Sequence, residues 1–268
     1  MIKKINALYF SATDRTKKTV NIFADELSQK LGLPIETYDF TLPRQRETFP
    51  EIKDALVVMA TPTYAGRVPN LLLPFVEKFK AVDSVGVSIV TYGNRNFDDS
   101  LMELTKIMEP HCTVIGSGAF SCEHSFSTIL GKGRPDEHDI KVIREFADKV
   151  AEKVRSKNLT AVTPKGEYPL RPYFTPQDRH GNKINFVKIK PLTDMSKCDD
   201  CKVCAEVCPL GSIDYDNVEN VPGKCMKCCA CVKKCHTGAK YFDDHGYIFH
   251  KEELEDIYSR RSEPEYFI

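Results

Sequence analysis

Short apolar runs punctuate the first 120 residues, at positions 5–10, 55–60, 85–90 and 113–119, with a weaker one at 35–40. They are rich in Val and Ile and apolar on both faces, the pattern of parallel strands covered by helices. Between them the period changes. Val20, Phe23, Ala24, Leu27 and Leu31 recur at helical spacing, with Gly32 as a C-terminal stop. Leu101, Leu104, Thr105 and Met108 form a second stripe; Ile140, Ile143, Ala147, Val150 and Val154 form a third, after a start signal at Pro135-Asp136. Five strands alternating with helices predict a doubly wound α/β sheet over residues 1–155.

The periodicity stops at 156–190, where Pro164, Pro169, Pro172 and Pro176 break up any regular element and suggest a connector. Residues 191–245 read as a second, smaller domain. The tail at 246–268 predicts one short helix, over 252–258, and no recognisable chemistry.

Charge and composition narrow the class. The 268 residues carry 38 basic and 38 acidic side chains, without the basic excess of a nucleic-acid module. No apolar run approaches the roughly 18 residues of a membrane helix. The opening MIKKINALYF has no full h-region or cleavage site, so the expected setting is cytoplasmic.

The cysteines change the picture most. Of 11, nine fall between Cys198 and Cys235 and none precedes Cys112. Without a secretory signal, metal binding is a better reading than disulfides. Cys198, Cys201, Cys204 and Cys208 form C-x2-C-x2-C-x3-C followed by Pro209; Cys225, Cys228, Cys231 and Cys235 repeat the spacing, followed by His236. This is the two-cluster ferredoxin run, in which the fourth cysteine of each run ligates the other cluster. Cluster one is assigned to Cys198, Cys201, Cys204 and Cys235, and cluster two to Cys208, Cys225, Cys228 and Cys231. C-x2-C pairs also build structural zinc sites, but zinc gives no reason for the doubled four-cysteine run. His236 is read as a solvated turn residue, or as a group tuning cluster two. Cys229, Cys112 and Cys122 are expected to be buried and structural.

Three loops follow strands at one edge of the expected sheet. Ser11-Ala12-Thr13-Asp14-Arg15-Thr16 leads into a helix, where hydroxyls and free N–H groups make a phosphate site or an ordinary cap. Thr61-Pro62-Thr63-Tyr64-Ala65-Gly66-Arg67 and Thr91-Tyr92-Gly93-Asn94-Arg95-Asn96-Phe97-Asp98 each supply an aromatic ring, a glycine and polar groups. Ligands of open α/β sheets sit in the crevice at that edge.

On these loops residues 1–155 resemble the flavodoxin-like FMN-binding fold. With the cysteine runs, the chain resembles the flavodoxin–ferredoxin fusion proteins of anaerobes, the ferrodoxins. The resemblance implies FMN, two [4Fe-4S] clusters, and an α+β ferredoxin-like second domain. It places Ser11, Thr13, Arg15 and Thr16 at the phosphate, and Tyr64, Gly66, Tyr92, Gly93, Asn94, Arg95 and Phe97 around the flavin ring. Thr61, Pro62, Thr63 and Asp98 complete the cofactor loops. Asp14 stands where the family usually has glycine; aspartate tolerates a left-handed backbone, but its carboxylate repels a phosphate unless it is paired.

Clusters carry one electron each and a flavin one or two, so the chain is expected to convert between one- and two-electron chemistry. The alternative is a flavin-dependent reductase of a small molecule, of quinone or nitro type, fed by the clusters. His124 and Arg95 are then the catalytic candidates, His124 as proton donor or substrate contact. Expected partners are redox proteins or a small-molecule acceptor, and a homodimer is allowed. A non-redox metal scaffold is a third class and requires a chain without iron.

Overall fold

The computed structural model describes residues 2–178 and 180–268. Each apolar run is a strand: β1 Lys4–Tyr9, β2 Ile35–Asp39, β3 Ala55–Pro62, β4 Val85–Tyr92 and β5 Thr113–Ser121. They pair in parallel in the order β2-β1-β3-β4-β5. This is the flavodoxin-like doubly wound order, with its topological switch between β1 and β3.

Four helices cover the sheet: α1 Arg15–Leu31, α2 Leu73–Val76, α3 Ser100–Met108 and α4 Glu137–Arg155. One face packs Phe23 and Leu27 of α1 and Phe146 and Val150 of α4 on Ile5, Val58 and Ile89. The Phe23 and Phe146 rings meet at 4.9 Å. The other face takes Leu101, Leu104 and Met108 of α3 onto Leu8, Val57 and Met59. The local signals act as expected. Gly32 ends α1 at φ 67°, and the Asp136 carboxylate caps α4 by accepting from the Asp139 N–H.

The second unit is sparse in regular structure: β6 Leu192–Thr193, α5 Val203–Glu206, α6 Ala230–Lys233 and β7 Lys240–Tyr241, with β6 and β7 antiparallel. Helix α7 then spans His245–Ile257, starting well before the helix expected at 252–258; the Asp244 carboxylate caps it by accepting from the Tyr247 N–H. The chain next returns to the first unit. β8, Glu265–Phe267, pairs antiparallel with β5, so the sheet has six strands rather than five. Three residues are too few to show a strand period, which is why the tail reads as featureless. The cysteine unit is thus an insertion between two neighbouring strands of one sheet, tethered at both ends.

The proline-rich connector is docked along the first unit. The Val162 N–H donates to the Val114 carbonyl and the Phe174 N–H to that of Ala65. Arg171 makes a two-nitrogen contact with the buried Asp99 carboxylate, which also accepts from the N–H groups of Glu167 and Arg171. These contacts bring residues 173–176 and 183–187 over the ends of β3 and β4, where the candidate site lies.

Candidate functional site

The loop after β1 is shaped as an anion cradle. The Ser11 N–H donates to Thr41 Oγ1 at 2.8 Å, the Lys17 N–H donates to Ser11 Oγ at 3.0 Å, and the Thr16 and Thr91 hydroxyls meet at 2.8 Å. Asp14 precedes α1 in the left-handed region at φ 65°. Among the described residues, no acceptor is found for the backbone N–H groups of Ala12, Thr13, Asp14, Arg15 and Thr16. Five successive unpaired donors at the start of a 17-residue helix fit a phosphate. The resemblance also assigned the Arg15 side chain to the phosphate, but its guanidinium is engaged by Glu123 at 3.0 Å.

The two other loops open on a cavity of about 890 Å³. Thr63, Tyr64, Gly66, Tyr92, Gly93 and Arg95 line it, as the resemblance implies. Five of the residues assigned to the cofactor loops do not. Thr61 and Pro62 end β3, and Thr61 is fully buried. Phe97 is buried against Tyr92, and Asp98 turns to Arg95. Asn94 faces the tail: its Nδ2 donates to the Tyr258 and Arg260 carbonyls, and its Oδ1 accepts from Ser121, Arg134 and the Ser262 N–H. The glycines also serve the protein itself. A Cβ on Gly93 would sit 2.2 Å from the His124 ring, and one on Gly66 2.6 Å from the Asp98 carboxylate.

His124 lines the same cavity. Its Nδ1 accepts from the Phe126 N–H at 3.1 Å, which leaves the proton on Nε2. Burial, aided by the nearby His250, Lys233 and Arg95, lowers its pKa to about 3. His124 is therefore a neutral ring that offers an N–H, where the sequence left open a titrating proton donor. Arg95 is paired with Asp98, and its guanidinium lies 5.0 Å from the centroid of the Phe174 ring.

The remaining wall was not foreseen. It comes from connector residues 173–176 and 183–187, from α7 through His250 and Leu254, and from residues 224–227 of the second cysteine run. Aromatic side chains were a visible signal in the connector; their proximity to the loops was not.

The cysteine runs meet crosswise. Cys204 lies in electrostatic reach of Cys198 and Cys235, and Cys201 of Cys235. Cys208, Cys225, Cys228 and Cys231 line a second, small cavity with Ile213 and Val221. The fourth cysteine of each run thus sits with the first three of the other, and all-thiolate sets in an apolar shell suit iron–sulfur clusters. Buried Lys240 lies near both sets, acting on Cys204 and Cys231, with its Nζ donating to the Val218 carbonyl. His236 lies beside Asp199, 2.8 Å away, and Cys201, so it belongs with the cluster-one set rather than cluster two. Cys229, Cys112 and Cys122 are buried, as expected.

The two units share a core. Cys228 and Ala230 pack into the apolar face that holds α3, with Tyr64 and Met226 against it. Burial first, then the thiols of Cys228, Cys229 and Cys225, push the Tyr64 hydroxyl well above its usual pKa. Lys233 of α6 reaches Glu123 at 3.0 Å. Burial alone would raise the Glu123 carboxyl, but Lys233 and Arg15 outweigh it and hold it below its usual value.

Residues 191–214 match the family of 4Fe-4S binding domains. The chain joins a flavodoxin-like fold to a 4Fe-4S binding domain. The match covers the first cysteine run and stops short of the second. No curated protein matches the chain in sequence. Among solved structures, a flavodoxin from the domain Archaea aligns at 15% identity over 57% of this chain and 99% of its own, with a TM-score of 0.41. A Fusobacterium nucleatum flavodoxin bound to flavin mononucleotide aligns at 17% identity over 57% and 99%, TM-score 0.38. The rubredoxin oxygen:oxidoreductase of the anaerobe Desulfovibrio gigas aligns at 13% over 58% of this chain and 37% of its own, TM-score 0.41. The fold assignment stands on the strand order. No helix among the described residues is long and apolar enough to cross a membrane.

Proposed function

We propose that the chain transfers electrons between two [4Fe-4S] clusters and FMN held in one body. The carrying observation is that Cys225, a cluster-two cysteine, lines the same cavity as Tyr64, Tyr92 and Gly93 of the flavin loops. When bound, the clusters supply one-electron transfer and FMN both one- and two-electron transfer. The unpaired N–H groups of residues 12–16 would hold the phosphate, and residues 63–66 and 92–95 would hold the ring. Tyr64 packs between the cavity and the apolar face that holds Cys228. His124 presents its Nε2–H to the cavity as a hydrogen-bond donor. Cys198, Cys201, Cys204 and Cys235 would hold cluster one, and Cys208, Cys225, Cys228 and Cys231 cluster two.

The test is anaerobic reconstitution followed by a reductive titration read by visible absorption and EPR. The expected result is flavin absorption with about eight iron atoms per chain. Iron without flavin would remove FMN from the scheme, and a chain holding zinc alone would remove electron transfer altogether.

A second reading, reduction of a small molecule at the flavin, is favoured by the cavity itself. Its 890 Å³ is near the top of the ~300–1,000 Å³ range of small-ligand sites. That volume includes the room the flavin ring would take; the wall from the connector and α7, on the side away from the ring loops, is what favours a second molecule.

A further inference from the structure

We propose that the part of this cavity walled by the connector, α7 and the second cysteine run binds a planar aromatic anion. The proposal rests on the flavin reading of the opposite loops and names the class of molecule the remaining space would take.

The charge of the lining is the first argument. Arg95, Lys183, Lys224 and Lys227 line the cavity and no Asp or Glu does, in a chain with as many acidic as basic residues. Arg95 is neutralised by Asp98. For the three lysines no carboxylate partner is found among the described residues; Lys224 and Lys227 flank Cys225, so a cluster held there would take up part of their charge, whereas Lys183 lies outside that run. A cleft of one charge sign with low-dielectric walls concentrates ligands of the opposite sign. The flavin phosphate does not account for these lysines, because its cradle is the five N–H groups at the start of α1.

The second argument is a histidine. His124 spends its Nδ1 on the Phe126 N–H and keeps Nε2–H free on the cavity wall. His250 also lines the cavity, its buried Nδ1 turned instead to the Glu253 carboxylate 3.5 Å away. Polar groups enclosed by protein are normally partnered, so the spare N–H of His124 points to a polar ligand.

Aromatic rings set its shape. Phe126, Phe174 and Phe186 line this part of the cavity, with Phe126 and Phe186 within 16° of parallel at 6.2 Å. Such faces favour an offset-stacked or edge-on flat ring. Stacking surface, a basic lining without acidic residues, and the His124 N–H together select an aromatic carboxylate or sulfonate over a sugar, a peptide or an aliphatic acid.

The test compares 2-naphthoate with its neutral isostere 2-naphthamide, by calorimetry on the full-length protein carrying its cofactors. The carboxylate is expected to bind about tenfold more tightly than the amide. Lys183 and Lys224 are exposed, so their replacement leaves folding intact. The double variant Lys183→Gln/Lys224→Gln is expected to weaken the naphthoate about fivefold while leaving the amide unchanged. Absence of naphthoate binding, equal affinity for both compounds, or indifference to the lysines overturns the proposal. So does release of flavin by naphthoate, since the cavity would then hold one ring only. Flavin absorption of the same sample decides the underlying reading separately: a flavin-free protein that still prefers naphthoate sinks the flavin and keeps the anion site.

Discussion

The Lys234 ammonium, on the residue after α6, lies 2.9 Å from the Asp14 carboxylate at the start of α1. The cysteine unit therefore neutralises the one acidic residue of the phosphate loop. Both side chains are partly exposed, so the pair is worth about 0.2–1 kcal/mol. Asp14→Gly removes the repulsion, leaves Lys234 free beside the phosphate and suits the left-handed backbone. It should tighten FMN by up to about fivefold, and Lys234→Ala should weaken it by a similar factor. Fluorescence titration of flavin-free protein checks both; unchanged affinity in Asp14→Gly would falsify the electrostatic account.

Asn94 was expected to touch the flavin ring and instead makes five hydrogen bonds, three to the tail and two to Ser121 and Arg134. Asn94→Ala leaves the buried Arg134 and two tail carbonyls short of a partner, at about 1–3 kcal/mol for each group that stays unsatisfied. Hydrogen exchange should quicken first at β8 and at residues 258–263. If exchange in the tail is unchanged and only flavin affinity falls, Asn94 belongs to the flavin site after all.

The case of Asn94 marks the boundary of what the sequence reveals. Apolar runs, helical stripes and the Asp136 cap act within a few residues, and all appear where the pattern places them. Asn94 and its tail partners are more than 160 residues apart, and nothing local distinguishes a loop polar group aimed at a ligand from one aimed at a distant strand. The same holds for β8, for the aromatic wall from the connector, and for Lys233 and Lys234 reaching back to the first unit. The cysteine runs were legible because their spacing is itself the chemistry.

Crosswise ligation is testable by serine substitution. Cys235→Ser should abolish the same EPR signal as Cys201→Ser, and Cys208→Ser the same signal as Cys225→Ser. If Cys235→Ser instead matches Cys225→Ser, each run holds its own cluster and the crossing is wrong.

The connector is held by an acid-sensitive latch. Arg171, with the N–H groups of Glu167 and Arg171, keeps the Asp99 carboxyl at about 2, below its unfolded value of about 3.9. A depressed carboxyl contributes fully above the unfolded value and loses its contribution as pH falls from about 4 towards 2. At neutral pH the latch is removed by Arg171→Ala, with a loss of about 1.5–3 kcal/mol for hydrogen bonds to a charge. Proteolysis within 156–176 should then accelerate with flavin and iron content unchanged. Equal cleavage rates would mean that the proline-rich chain is held by its other contacts.

His124 sets the protonation state of the cavity. Its folded pKa of about 3 lies below the ordinary value of about 6.5, so the folded chain refuses a proton that the unfolded chain accepts. The neutral ring therefore costs nothing above about pH 6.5, and acid destabilises the fold progressively as pH falls from there towards 3. Across pH 5–8 the imidazole should stay neutral, its Nδ1 held by the Phe126 N–H and its Nε2–H aimed at a ligand. In protein with isotope-labelled histidines, the ring resonance lost in His124→Gln should show no titration between pH 5 and 8. A midpoint near 6.5 would instead mean a solvated ring, and would restore His124 as a proton donor in the reductase reading. Because the Nδ1 acceptor is spoken for, a flat titration also limits any part His124 plays in catalysis to hydrogen bonding, and the proton for a two-electron reduction must enter from water or from the ligand itself.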